Sequence, residues 1–170
     1  MTKDKIIIAV YVDNKFGVLS RVTAMFTRRG FNIDSLTVGE TESPEYSRIT
    51  ITLSAGKTDK EQVVTQLRKL YNVKKVVVLS GEDCIKRELL LIKVKNSEEN
   101  RPVILETANI FRAKVIDLGE EAISIEVTGD SQKIDGFIQN VRNYGIIEMC
   151  RTGIVALDRG STSIWSYHED

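Results

Sequence analysis

The sequence predicts an α+β protein built from two consecutive ferredoxin-like βαββαβ domains, residues 1–80 and 81–160, followed by a short tail, residues 161–170. Three observations carry that reading. Over residues 1–80 the apolar positions switch between the two-residue step of a strand and the three- and four-residue step of a helix, in the order strand, helix, strand, strand, helix, strand. The same order recurs over residues 81–160, as a pattern of elements without a matching residue motif. Charge also divides at that point. Residues 1–80 hold 13 Lys and Arg against 8 Asp and Glu, a net +5, and residues 81–170 hold 11 against 16, a net −5, in a chain of 170 residues whose total is zero. That length suits two units of about 80 residues each.

Each element has its own signal. Residues 6–12 are a β-branched strand, Ile-Ile-Ile-Ala-Val-Tyr-Val. Val18, Leu19, Val22, Met25 and Phe26 recur at helical spacing over 18–29, and Arg28-Arg29-Gly30 stops that helix. Phe31 to Val38 alternates apolar and polar as a half-buried strand does, and Ser47 to Leu53 does the same beyond a turn at Thr41–Glu45. Thr58 or Asp59 caps a second helix with Val63, Val64, Leu67 and Leu70 on its apolar face, and Val73 with Val76–Leu79 makes the closing strand. Residues 80–86 read as a linker. In the second half, Leu89–Val94 is a strand and Pro102–Arg112 a helix with Pro near its first turn, where a missing N–H matters least. Lys114–Leu118 and Ala122–Thr128 are strands hinged at Gly119; Ser131–Tyr144 is a helix; Ile146–Leu157 is the last strand, interrupted at Gly153.

A βαββαβ unit lays both helices on one face of a four-stranded antiparallel sheet and leaves the other face bare. A unit this small is also marginal on core size alone. Pairing with a second copy answers both problems, so a symmetric dimer is expected.

Composition narrows function mainly by exclusion. With 42% hydrophobic and 28% charged residues the chain has the make-up of a soluble globular protein. No apolar run approaches the roughly 18 residues that span a membrane, and Met1–Lys5 leads into a strand pattern without a signal-peptide core. The expected location is cytoplasmic, with Cys84 and Cys150 as reduced, structural thiols. His168 is the only histidine and no C-x-x-C pair exists, so a metal site or a Cys–His catalytic pair is hard to assemble. Phosphate-loop, dinucleotide, zinc-protease and nucleophile-elbow motifs are absent, and Glu98-Glu99 and Glu120-Glu121 read as solvated surface. The chain therefore reads as a non-enzyme with no cofactor or metal of its own. RNA-recognition modules share the βαββαβ order but read bases with strand aromatics. Here aromatic content is 6%, the equivalent strands offer Ile, Thr and Leu, and no nucleic-acid partner is expected.

One stretch stands apart: Asp13-Asn14-Lys15-Phe16-Gly17-Val18-Leu19-Ser20-Arg21-Val22, where the first strand gives way to the first helix. A glycine there leaves backbone N–H groups unobstructed at a helix N-terminus, whose partial charge favours an anion such as a carboxylate. Asn14 offers an amide that donates and accepts. Asn32, at the start of the next strand pattern, lies near a sheet end that another subunit's loop can reach, and Val18, Leu19 and Ile33 can line space for an aliphatic side chain. The same residues equally suit a plain turn, with Gly17 as its glycine and Asn14 and Asn32 as turn-stabilising side chains.

The run Asn14-x-x-Gly17-x-Leu19-Ser20-Arg21-Val22, then Phe26, then Arg29-Gly30-Phe31-Asn32-Ile33-Asp34-Ser35-Leu36-Thr37-Val38, resembles the N-terminal ACT domain of the small regulatory subunit of acetolactate synthase. Ser47–Thr50, Lys86–Leu89, Ile110–Ala113, Ile116-Asp117 and Arg151–Gly160 extend the resemblance in order over residues 4–160. The resemblance implies a regulator that binds the catalytic large subunit, raises its activity and confers feedback inhibition by a branched-chain amino acid, typically valine. It implies a homodimer through the ACT domains with the effector at their interface: Asn14, Gly17, Val18 and Leu19 of one chain, Asn32 and Ile33 of its neighbour. Thiamine diphosphate, FAD and Mg²⁺ belong, by the same resemblance, to the large subunit only. A free-standing ACT-domain amino-acid sensor acting on another partner is the alternative. Residues 161–170 run past the shared pattern and read as a frayed tail, or as a small docking segment carrying Trp165, the sole tryptophan.

Overall fold

The computed structural model describes residues 4–79 and 84–167. The first unit begins with β1 (Asp4–Asp13), a β-branched run in which every residue from Ile6 to Asp13 is buried. Helix α1 (Val18–Arg29) follows, its buried face formed by Val18, Val22, Met25 and Phe26. It stops at Gly30, whose φ of 68° and ψ of 21° place it in the left-handed region that glycine enters without a Cβ penalty. Arg28 and Arg29 fall in the last turn, at the negative end of the dipole. Then come β2 (Ser35–Glu40), β3 (Tyr46–Ala55), α2 (Lys57–Arg68) and β4 (Val73–Leu79). The strands pair antiparallel in the order β2-β3-β1-β4, with Ile8 opposite Ile51 and Ala9 opposite Thr50. Alternation along β1 splits its side chains between two faces. Ile6, Ile8, Val10 and Val12 meet α1, α2, Ile49, Ile51 and Leu53 in the main core.

Three local expectations shift here. The strand expected from Phe31 starts only at Ser35, because the left-handed turn at Gly30 and the Phe31 N–H bond to Phe26 O (3.0 Å) first carry the chain round the helix end. Asn32 therefore stands in a loop and not at a strand start. Helix α2 is capped by Gly56, whose N–H is accepted by Asp59 Oδ2 at 3.1 Å from the third helical position. Asp59 is thus inside the helix, and the side chain of Thr58, the other expected cap, lies outside the described residues.

The helix-free face of this sheet is not bare. Ile7, Ala9, Tyr11, Val77 and Leu79 form a second buried cluster with Cys84, Ile154, Ala156 and Ile164. By contacts, the chain divides into residues up to Ile85 together with those from Ile154 onward, and a second unit, Lys86–Gly153. The single last strand expected over 146–157 is two: β8 (Ile146–Arg151) and β9 (Val155–Asp158), separated at Gly153, where φ is 84°. The expected 81–160 domain thus loses its last residues to the first unit. The expected frayed tail is, through Tyr167, an ordered segment with a 3-10 turn at Ile164–Ser166 that buries Ile164. The linker expected at 80–86 is also shorter, since β5 (Cys84–Lys95) already begins at Cys84; residues 80–83 lie outside the described residues.

The second unit contains the rest of β5, then α3 (Arg101–Ile110), β6 (Lys114–Leu118), β7 (Ala122–Gly129), α4 (Ser131–Val141) and β8, with strand order β6-β7-β5-β8. Its core joins Leu90, Ile92, Val94, Ile123, Ile125 and Val127 to Ile104, Ala108, Ile134, Phe137 and Val141 of the two helices. Helix α3 ends two residues before the expected Arg112, which has a φ of 50° and cannot continue a right-handed helix. Helix α4 starts on Asp130, whose carboxylate accepts the Lys133 N–H at 2.8 Å, and gives way at Arg142 to a 3-10 turn that replaces its last expected turn. Glu88 is buried and held by Ser131 and by two bonds from Arg151 (2.6 and 3.0 Å), which also reaches Asp135 at 2.7 Å.

Candidate functional site

The β1–α1 junction is tied down from two sides. On the β4 side, the buried Asp13 donates its N–H to Asn72 O at 2.9 Å. Its carboxylate accepts from Asn72 Nδ2 at 2.9 Å and pairs with Lys74 Nζ at 3.1 Å. The Asn72 hydrogen bond, with Lys74 beside it, holds the Asp13 carboxyl below the usual carboxylate range against the opposing effect of its burial. Asn72 Oδ1 in turn accepts from Arg21 Nη1 at 2.7 Å, which fixes the first turn of α1 to the same anchor. On the other side, the Asn14 N–H donates to Glu45 O at 2.7 Å, and Asn14 Nδ2 donates to Glu40 Oε1 and Pro44 O, both at 3.0 Å. The β2–β3 connection thereby orients the Asn14 amide.

Between these anchors the chain makes a turn closed by the Val18 N–H to Lys15 O at 3.3 Å. Gly17, at φ 80° and ψ −4°, has the dihedrals of the third position of a type II turn, which favours glycine. It is also the N-cap residue of α1. Among the described residues no side chain caps this helix start, its first turn holds no acidic residue, and a Cβ on Gly17 would meet no atom within 4 Å beyond its own chain neighbours. The result is a helix N-terminus with open backbone and no acid in its first turn, next to an oriented amide. Such an arrangement can take a small carboxylate on its N–H groups.

Asn14 and Gly17 stand together at this junction, with Leu19 41% exposed beside them. Val18 does not line open space as expected: it is 4% exposed, and its side chain belongs to the core face of α1. Asn32 and Ile33 lie past the opposite end of α1, Asn32 exposed and Ile33 partly buried against the core. At 1.5 Å per residue, the 12 residues of α1 separate the two groups by about 18 Å. One chain alone does not bring all six together.

Asp13, Arg21, Asn72 and Glu40 support the junction and escaped the functional reading of the sequence. Asp13 had a visible signal, a charged residue closing a seven-residue apolar run just before a glycine turn. Asn72 and Glu40 had none, since they reach the junction only through strand pairing.

Comparison with known proteins places the chain in a family. The model of the acetolactate (acetohydroxy acid) synthase small-subunit ACT domain matches residues 8–75, and that of the acetolactate synthase small subunit matches residues 87–160. The acetolactate synthase small subunit of Mycobacterium bovis is 45% identical over 157 residues, covering 92% of this chain and 94% of the relative. A probable acetolactate synthase small subunit of Methanothermobacter thermautotrophicus is 46% identical over 165 residues, covering 96% and 98%. Among solved structures, the acetolactate synthase small subunit of Thermotoga maritima superposes with a TM-score of 0.87 at 38% identity, over 94% of this chain and 99% of that one.

Proposed function

The chain belongs to the acetolactate synthase small-subunit family, with an ACT domain in its first half, and we propose that it is the regulatory partner of a catalytic large subunit, which it activates and places under feedback inhibition by a branched-chain amino acid, valine in the first instance. The observation that carries this reading is the uncapped, glycine-opened start of α1 beside the oriented Asn14 amide. A free amino acid needs N–H donors for its carboxylate and oxygen acceptors for its ammonium group. Gly17 and the first turn of α1 supply the former; the amide oxygen of Asn14, with Glu40 next to it, supplies the latter. Leu19 takes the aliphatic end.

In this reading the effector is completed by a second copy. Strand β2 lies at the edge of its sheet and Asn32 stands exposed in the loop that leads into it. A homodimer through the ACT domains sets Asn32 and Ile33 of one chain against Asn14, Gly17 and Leu19 of the other. An effector held between two copies favours one arrangement of the pair, by no more than the difference in its affinity for the two arrangements. Thiamine diphosphate, FAD and Mg²⁺ reside on the large subunit, and the small subunit acts on the reaction only through the interface.

Two measurements test this. Purified chain mixed with the large subunit of the same organism should co-elute in gel filtration and raise acetolactate formation. A thermal-shift panel of L-amino acids should raise the melting temperature with valine, isoleucine or leucine and not with charged amino acids, because a ligand that binds only the native state must stabilise it. No shift with any branched-chain amino acid would remove the effector half of the proposal. A shift without co-elution would favour the free-standing sensor.

A further inference from the structure

The segment that follows Gly153 lies across the helix-free face of the first sheet and fastens there by polar as well as apolar contacts. Ile154, Ala156 and Ile164 are buried against β1 and β4. Arg48 Nη2 donates to Ala156 O at 2.9 Å, Lys75 Nζ donates to Tyr167 O at 2.6 Å, and Tyr167 Oη donates to Asp158 Oδ1 at 3.0 Å. Trp165 closes edge-on over Tyr11, with ring centroids 4.8 Å apart and planes at 73°. Tyr11 is itself 4% exposed and has the Tyr46 ring 5.2 Å from its own.

Tyr11 is where this segment meets the candidate site. Its hydroxyl lies 3.0 Å from Thr41 Oγ1 and 3.4 Å from Glu42 Oε1, at the start of the β2–β3 connection. Thr41 organises that connection: its hydroxyl reaches the carbonyls of Ser43 and Tyr46 and accepts the Ser43 N–H, and its own N–H donates to Tyr46 O. The same connection supplies Pro44 O and Glu45 O, which with Glu40 hold both the backbone and the side-chain amide of Asn14. A continuous series of contacts thus runs from Trp165 through Tyr11 and Thr41 to Asn14.

We propose that residues 154–167 form a strap that sets the competence of the effector site, with Trp165 and Tyr11 as positioning residues acting through the 41–46 connection. The inference rests on the effector reading of Asn14 and Gly17. If the strap lifts, Tyr11 loses its cover, the connection loosens, and Asn14 is correctly oriented for only a fraction of the time. Apparent affinity then falls by that fraction.

The test uses the full chain and L-valine. Tyr11→Phe keeps the ring under Trp165 and removes only the hydroxyl; Trp165→Ala removes the cover; Trp165→Phe retains an aromatic edge. The first two should weaken L-valine binding about fivefold by calorimetry, the share of one neutral hydrogen bond, and Trp165→Phe should restore most of it. In parallel, hydrogen exchange at the amides of Asn14, Thr41 and Tyr46 should quicken in Tyr11→Phe and Trp165→Ala, while the α2 amides of Val63–Leu67 stay as in the wild type. The proposal requires both results. Wild-type affinity in Tyr11→Phe, or unaltered exchange at the three amides, overturns it. If the wild-type chain binds no L-valine, the effector reading fails, and the exchange result alone decides whether the strap sets the 41–46 connection.

Discussion

Substituting Gly17 by Asp and by Asn separates the two contributions this glycine makes. Both replacements put a side chain at φ 80°, where ordinary residues lose ~1–2 kcal/mol and Asn and Asp somewhat less. Neither meets a steric obstacle among the described residues, because a Cβ at this position has no atom within 4 Å beyond its own chain neighbours. Both are favoured N-cap residues, and Asp gains further from the dipole of α1, whose first turn lacks any acid. The Asp variant should therefore melt no lower than the Asn variant. Binding should separate them the other way. An effector carboxylate seated on the first turn of α1 would lie ~5 Å from the new Asp carboxylate, a repulsion of ~0.8 kcal/mol at a water-like dielectric and ~3 kcal/mol at an effective value near 20. L-valine affinity should thus be about fourfold to two-hundredfold weaker in Gly17→Asp than in Gly17→Asn. Calorimetry reads the affinities and thermal melting reads the stabilities. Equal affinity in the two variants would refute the placement of the carboxylate at this helix start.

Other expectations follow from the packing and the charges. Phe26→Ala and Phe137→Ala, one in each core, should each cost ~3–5 kcal/mol in denaturant unfolding; a cost under ~1 kcal/mol would contradict the packing. Asp13 has a depressed folded-state pKa, so the stability it contributes is present above its unfolded value of ~3.9 and is lost as pH falls through the lower folded value. Melting temperature of the wild type should therefore fall more steeply below about pH 4 than that of Asp13→Asn, and parallel curves would count against the Asn72 and Lys74 account. Arg151→Met leaves Glu88 buried without its guanidinium and should cost ~3–5 kcal/mol, with much of that recovered in Arg151→Met combined with Glu88→Gln. Additive costs in the pair would show that the two side chains do not act together.

The order of elements was legible because each sheet packs one alternate set of side chains against its helices and each helix buries one stripe, so period and face coincide. Helix α1 runs over the predicted residues 18–29, and β6 over 114–118, for that reason. Where the reading failed, either a turn at a helix end or a contact from far along the chain had overridden the alternation. Phe31–Ile33 alternates like a strand, yet the turn at Gly30 takes it round a helix end. Ile154, Ala156 and Ile164 lie in a sequence that reads as a strand end and a polar tail; only the apolar outer face of β1, with Ile7, Ala9 and Tyr11, makes them a cover. That face was visible as an all-apolar run from Ile6 to Val12, which implies burial on both sides. The identity of the cover was not. Within the site, Asn14 and Gly17 were readable because turn chemistry and helix starts are local. Asn72, Glu40 and Tyr11 were not, because their roles exist only after strands far apart in sequence have paired. Val18 illustrates the converse: its neighbourhood in sequence suggested the site, and its helical phase sends it to the core.

The central claim is that this chain carries an amino-acid effector signal to a catalytic subunit through the Asn14–Gly17 junction. It is tested most directly by titrating L-valine into the large subunit reconstituted with either the wild-type chain or Gly17→Asp, and following acetolactate formation. The account predicts that valine depresses the rate with the wild-type chain and that the same depression with Gly17→Asp needs about fourfold more valine or beyond. A wild-type complex indifferent to valine, or the same inhibition with both chains, would contradict it.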